Sequence, residues 1–197
     1  MGKRARDAKV ADPSRKMNRA SDLAQFAEAF PTEEHLREAL ATLFSKMGRE
    51  DVRIVHGSRE KGKDILFFGP GGLNERRLYA CVVKNDRIGG AAGNHDAGAQ
   101  TVLNQIQMSL SEPFIGDKGE ELWIDTVYVI SPVECASGAI ESIQNALRRI
   151  GQVEFWCGRK LLDLFAMYWP TFLWFESGVL QAYLSALKAS IQEDSAS

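Results

Sequence analysis

The apolar residues of this chain change their period several times, and each change marks an element. Ser21 is a suitable N-cap for a short helix, "SDLAQFAEAF". Pro31 and Thr32 open a second helix, "TEEHLREALATLFSKMG", whose Leu36, Leu40, Leu43 and Met47 fall at spacings of four and three and build one buried stripe. Gly48 ends it. Val52, Ile54 and Val55 then mark a strand in "DVRIVHG". "KDILFFG" predicts a second strand, broken by Gly69, Pro70, Gly71 and Gly72, and "RLYACVVK" a third. A polar, glycine-rich segment, "NDRIGGAAGNHDAG", leads into a helix, "AQTVLNQIQMSL", with Ala99, Val102, Leu103, Ile106 and Leu110 on one face. "LWIDTVYVIS" reads as a long central strand. "ECASGAIESIQNALRRIG" reads as a helix burying Ile140, Ile143, Leu147 and Ile150, and "QVEFWCG" as the last strand. "RKLLDLFAMYW" is helical up to Pro170, and "TFLWFESGVLQAYLSALKASI" predicts a closing helix.

The resulting order, α-α-β-β-β-α-β-α-β-α-α, predicts an α/β fold: a mixed β-sheet of about five strands flanked by helices on both faces. Residues 1–20 read as a basic tail, 21–170 as the folded domain, and 171–197 as a helical appendage that packs on the domain or presents a partner surface. The 197 residues suffice for one domain with its own core. No apolar run is long enough to span a membrane, and no apolar stretch follows the basic N-terminus, so neither a membrane span nor a secretory signal is expected. Three widely spaced cysteines, Cys81, Cys135 and Cys157, point to a reducing cytoplasm and away from structural zinc.

Charge is unevenly spread. Residues 1–20 carry seven Lys/Arg against Asp7 and Asp12, a surplus of five, so the formal net charge of -2 leaves the remainder about seven negative. The tail is either a solvated terminus or an arm that binds phosphates. "GPGG" is a turn between strands and lacks the Lys-Ser/Thr of a phosphate loop. His56 and His95 have no partners at metal-ligand spacing. The tryptophans Trp123, Trp156, Trp169 and Trp174 read as core or interface.

Asp64 starts the second strand and Lys84 ends the third. In an antiparallel hairpin those two ends meet. A carboxylate beside an ammonium at a sheet end suits metal-dependent phosphodiester hydrolysis: the acid holds a hard cation, and the lysine orients water or offsets developing charge. The alternative is an ordinary cross-strand ion pair.

"LREALATLFSKMGREDVRIVHGSREKGKDILFF", "RLYACVVKNDRIGG", "VYVISPVECASGAIESI" and "VEFWCGRKLLDLF" resemble, in that order, the Mrr-like branch of the PD-(D/E)XK nuclease superfamily. The resemblance covers about residues 32–169. It implies a restriction-endonuclease-like sheet, with Asp64 as metal-binding acid and Lys84 as the motif lysine. The acid usual two residues before that lysine falls on Val82, which binds no metal. Either the site is inactive or a second carboxylate has migrated. Glu60, four residues before Asp64, is the candidate replacement, and its alternative is a solvated loop charge. Glu38 resembles the helix glutamate of many members, and Gln105 the polar helix residue that contacts the site or the DNA.

The expectation is therefore a divalent-metal-dependent DNA endonuclease using Mg2+ or Mn2+, with a restriction or anti-phage defence role. RNA as substrate is not distinguished from DNA. Self-association or a regulatory partner protein is expected by analogy. The alternative is a nuclease-like fold without catalysis, serving as a nucleic-acid-binding or protein-interaction module.

Overall fold

Thr32 starts the second helix: its Oγ1 accepts the His35 N–H at 3.3 Å, satisfying a first-turn donor. The structure, a computed structural model, describes residues 19–55, 61–71, 75–89 and 98–175, and of 19–22, 174 and 175 the backbone alone. In chain order the elements are α1 (Arg19–Glu28), α2 (Glu33–Lys46), β1 (Glu50–Ile54), β2 (Ile65–Pro70), β3 (Arg76–Val83), α3 (Ala99–Ser111), β4 (Phe114–Ile115) and β5 (Glu121–Leu122). They continue with β6 (Ile124–Ser131), α4 (Ser137–Leu147), β7 (Gln152–Cys157), α5 (Arg159–Tyr168) and α6 (Pro170–Phe175).

Five strands make one mixed sheet in the order β1-β2-β3-β6-β7. β1 and β3 run antiparallel to β2, whereas β3, β6 and β7 are mutually parallel. Each parallel step needs a crossover, and α3 and α4 supply the two. Alternation along the strands divides the core. Ile65, Phe67, Cys81, Val83 and Ile130 pack with α1, α2 and α5 on one face. Leu66, Ala80, Val82, Val127 and Val129 pack with α3 and α4 on the other. Helices thus cover both faces, as the pattern predicts.

Aromatic rings fill the first face. Phe44 stacks on Phe67 at 4.4 Å between centroids, and Tyr128 meets Trp156 at 4.5 Å. This locks α2 against β2, which matters because α2 carries part of the candidate site.

Four local expectations change. β4 and β5 form a separate two-stranded hairpin, so "LWIDTVYVIS" is not one strand. Trp123 sits between the two sheets' strands and is 58% exposed. Ile150 is exposed at the end of the α4 segment rather than buried, and the buried stripe is Ala139, Ile143 and Leu147. Cys135 and Cys157 are joined by a disulfide with Cα atoms 5.8 Å apart, leaving Cys81 as the buried free thiol. Register brings this about: Cys157 pairs with Ser131 at the end of β6, and the chain turns past it through Cys135. The cysteine count therefore no longer speaks for a reducing compartment. Of the closing helix only α6 lies within the described residues, and the basic tail lies outside them. No helix among the described residues is long and apolar enough to cross a membrane.

Candidate active site

The β2–β3 register, Ile65 opposite Cys81 and Leu66 opposite Ala80, carries the start of β2 to the end of β3. Asp64 lies one residue before β2, and its backbone is fixed on both sides. Its N–H donates to the Cys81 carbonyl (2.8 Å) and its carbonyl accepts from the Val55 N–H (2.9 Å). Lys84 follows β3 directly, and its N–H donates to the Ile130 carbonyl of β6 (2.9 Å). The site thus opens at the edge where the parallel strands end. Crevices at that edge of α/β sheets are the usual place for ligands.

Asp64 and Lys84 are both buried, yet they do not pair with each other. Asp64 Oδ2 accepts the Val83 N–H at 2.6 Å, and Oδ1 accepts from Arg37 Nη2 at 2.8 Å. Lys84 Nζ lies 3.7 Å from Glu33 Oε2. The simple cross-strand ion pair is replaced by a four-residue network, because α2 lays its first turns over this edge. Glu33 and Arg37, one turn apart on that helix, face the same way. Arg37 Nη2 also reaches Glu33 Oε1 at 2.5 Å, and Nη1 reaches Glu34 Oε2 at 3.4 Å.

Burial raises the Asp64 carboxyl from its ordinary 3.8 to about 6, the largest influence on it. The Val83 N–H, then Arg37, pull it down; Glu33 pushes it up, and Lys84 lowers it slightly. Burial wins because the side chain is only 6% exposed.

The other expected site residues are placed as follows. Glu60 and His56 lie outside the described residues, as does His95. Glu38 is not brought to Asp64. It is exposed one residue past Arg37, about 100° round the helix, beside a separate hollow of about 240 Å³ lined with His35, Thr42, Trp169 and Phe172. Gln105 supports the loop that leads into β2. Its carbonyl packs on Gly62, where an added Cβ would lie 2.2 Å from the Gln105 oxygen, and Gly62 has a φ of +80°. Ser109 Oγ donates to the Gly62 carbonyl at 2.8 Å. The Gln105 Oε1 itself is buried without a hydrogen-bond partner. Val82, where the resemblance expects an acid, is wholly buried in the second apolar cluster.

Glu33 and Arg37 are the residues that sequence reasoning missed. The signal was present: positions 33, 37, 40 and 44 lie on one helical face, and Leu40 and Phe44 are fully buried. A charged pair in phase with a buried stripe must be covered by something.

Among the described residues no group of three or more His, Cys, Asp or Glu is placed to hold a metal. Two carboxylates, Asp64 and Glu33, do meet on one nitrogen of Arg37. Mg2+ is commonly held by one or two carboxylates, with water and substrate phosphate completing its shell. The two carboxylates match that number and type of donor, and both are engaged by the Arg37 guanidinium.

No protein-family model, no curated protein and no solved structure matches this chain.

Proposed function

We propose that this chain is a divalent-metal-dependent nuclease of the PD-(D/E)XK kind, Mrr-like, acting on DNA. One observation carries the reading: a buried carboxylate, Asp64, shares a sheet edge with a buried lysine, Lys84, and the two are joined through Glu33 and Arg37 rather than neutralising each other.

Asp64 and Glu33 would hold Mg2+ or Mn2+, which when bound supplies Lewis acidity at phosphate and a more acidic water. Glu60 remains a further candidate ligand. The Lys84 ammonium, fixed by its backbone bond to Ile130, donates toward a non-bridging phosphate oxygen or the attacking water and stabilises the charge that builds up. Glu33 holds that ammonium in place in the free protein. Arg37 exchanges its carboxylate partners for a substrate phosphate, which its planar fork matches. Burial makes each of these interactions stronger than it would be in water.

The closure of Arg37 on both carboxylates, together with apolar Val82, favours a second reading: an inactive nuclease-like module that binds nucleic acid or protein. Self-association, a regulatory partner and a restriction or defence role belong to the leading proposal. A cytoplasmic location rests on that function alone.

Nicking and linearisation of plasmid DNA with Mg2+, Mn2+ or EDTA separates the readings. Wild type is compared with Asp64→Ala, Lys84→Ala and Glu33→Gln. Cleavage that needs metal and disappears in the first two variants supports the nuclease. A folded, concentrated wild type that leaves plasmid intact with every metal and with RNA rejects it.

A further inference from the structure

The residue before Asp64 is a second buried ionisable group. Lys63 is 1% exposed, and what remains of its surface lines a cleft of about 510 Å³ beneath the β4–β5 hairpin. Its neighbours there are Arg53, Lys61, Phe114, Ile115 and Asp117. The other two cations have counter-ions. Arg53 is bound by Asp117 at 2.7 Å and Asp51 at 2.9 Å, and Lys61 by Glu112. Lys63 has no carboxylate within ion-pairing distance among the described residues, so one positive charge is left over at the cleft wall.

A buried ammonium without a counter-ion is unfavourable, and an apolar side chain of the same length would pack the position better. Glu112, the partner of Lys61, is the carboxylate whose charge favours the Lys63 ammonium, without reaching ion-pairing distance. The lining also holds apolar residues: Phe114 is half-buried and Ile115 is 55% exposed. A cation sharing a cleft with an aromatic and an aliphatic side chain matches a nucleotide, with its phosphate on the cation and its base or sugar on the apolar residues. The cleft's volume is that of a small-molecule site. Lys63 and Asp64 are consecutive but serve different surroundings: Asp64 is held by Arg37 and Val83, whereas Lys63 lines the cleft.

We propose that Lys63 binds a phosphate of a nucleic-acid strand outside the cleavage centre, with Phe114 and Ile115 receiving the adjoining base or sugar. The identity of the ligand rests on the nuclease reading.

The test is binding of a short fluorescent single-stranded oligonucleotide to the full chain in EDTA, measured by anisotropy across a salt series. Lys63→Met is expected to weaken binding about tenfold and to reduce the log–log salt slope by about 0.7, one phosphate contact on a single strand. Lys63→Arg should keep the slope. Phe114→Ala should weaken binding and leave the slope unchanged, because stacking releases no counterion. Lys118→Met, on the hairpin turn outside the cleft, should change neither. Unchanged affinity and slope in Lys63→Met, folded by circular dichroism, overturns the proposal. So does a wild type that binds inorganic phosphate but no oligonucleotide, which would assign the cleft to free phosphate. Cleavage assays in Mg2+ run alongside keep the two readings apart. Plasmid cleavage with Lys63-independent binding rejects the cleft alone. Lys63-dependent binding without cleavage supports the cleft and rejects the nuclease.

Discussion

Replacing Asp64 with asparagine should make this protein more stable at alkaline pH. Asp64 ionises at 3.8 in an unfolded chain and at about 6 in the folded one, because burial opposes its charge more than Val83 and Arg37 favour it. The folded state therefore binds this proton more tightly than the unfolded state. The stability tied to the neutral carboxyl is fully present below about pH 4. It is lost as pH rises toward and through 6. A difference of this size corresponds to roughly 3 kcal/mol. With its side chain only 6% exposed, little of that is screened by solvent. Asparagine has the shape of the neutral acid and still accepts the Val83 N–H. At pH 8 Asp64→Asn should thus unfold about 3 kcal/mol later than wild type, a melting shift of about 6–12 °C for a domain this size. The difference should vanish near pH 4. Urea unfolding followed by circular dichroism at pH 4, 6 and 8 reads this directly. An asparagine variant no more stable than wild type at pH 8 would show that the Arg37 and Val83 contacts outweigh burial, and would refute the argument. Mg2+ supplies the converse test: at one hundred times its dissociation constant it should stabilise wild type by about 2.7 kcal/mol at pH 8 and the asparagine variant far less.

Lys84→Met should remove cleavage activity by at least about a hundredfold while leaving the far-UV spectrum unchanged, since the aliphatic stem keeps its packing. Gly62→Ala should destabilise by more than about 2 kcal/mol in urea unfolding, because the position needs φ of +80° and the new Cβ would meet the Gln105 carbonyl at 2.2 Å. Cys135→Ala should cost about 3 kcal/mol under non-reducing conditions, from the chain entropy of a closure spanning 22 residues. The same loss should appear when the wild type is reduced.

Strand pairing and the two-faced core were legible because β2, β3, β6 and β7 are flanked by turns and rich in β-branched and aromatic residues. The β4–β5 hairpin was not: strands of two residues within "EPFIGDKGEELW" carry no period to detect. Asp64 and Lys84 were legible as strand-end charges, but not their partners. Pairing across β2 and β3 predicts that the two ends meet, and says nothing about a helix laid over them. Glu33 and Arg37 enter only once α2 is packed through Phe44 on Phe67, a contact between residues far apart in the chain. Glu38 rests on resemblance alone, and its helical phase sets it apart from the buried Leu36 and Leu40. The Cys135–Cys157 pair depended on the β6–β7 register, which an odd cysteine count cannot reveal.

Lys63 and Asp64 together locate the functional part of the fold. They are adjacent, oppositely charged and both buried, so an ion pair between them would be the simplest way to limit the loss of hydration. Neighbouring residues on an extended chain point to opposite sides, which prevents it. Asp64 turns to α2, and Lys63 to the cleft under the β4–β5 hairpin. Burial pushes the Lys63 amine down and the Asp64 carboxyl up, each toward its neutral form. Two such unfavourable placements at one strand start gain nothing for folding, and groups of this kind gather where ligands are handled. Lys63→Met should therefore stabilise the fold, as Asp64→Asn does. Because the two side chains share no partner, the double variant should be more stable by close to the sum of the two. The same double variant should bind the oligonucleotide about as weakly as Lys63→Met alone and should have lost cleavage. A double variant less stable than wild type would mean that these charges hold the strand in place, and the case for a site at this edge would fall with it.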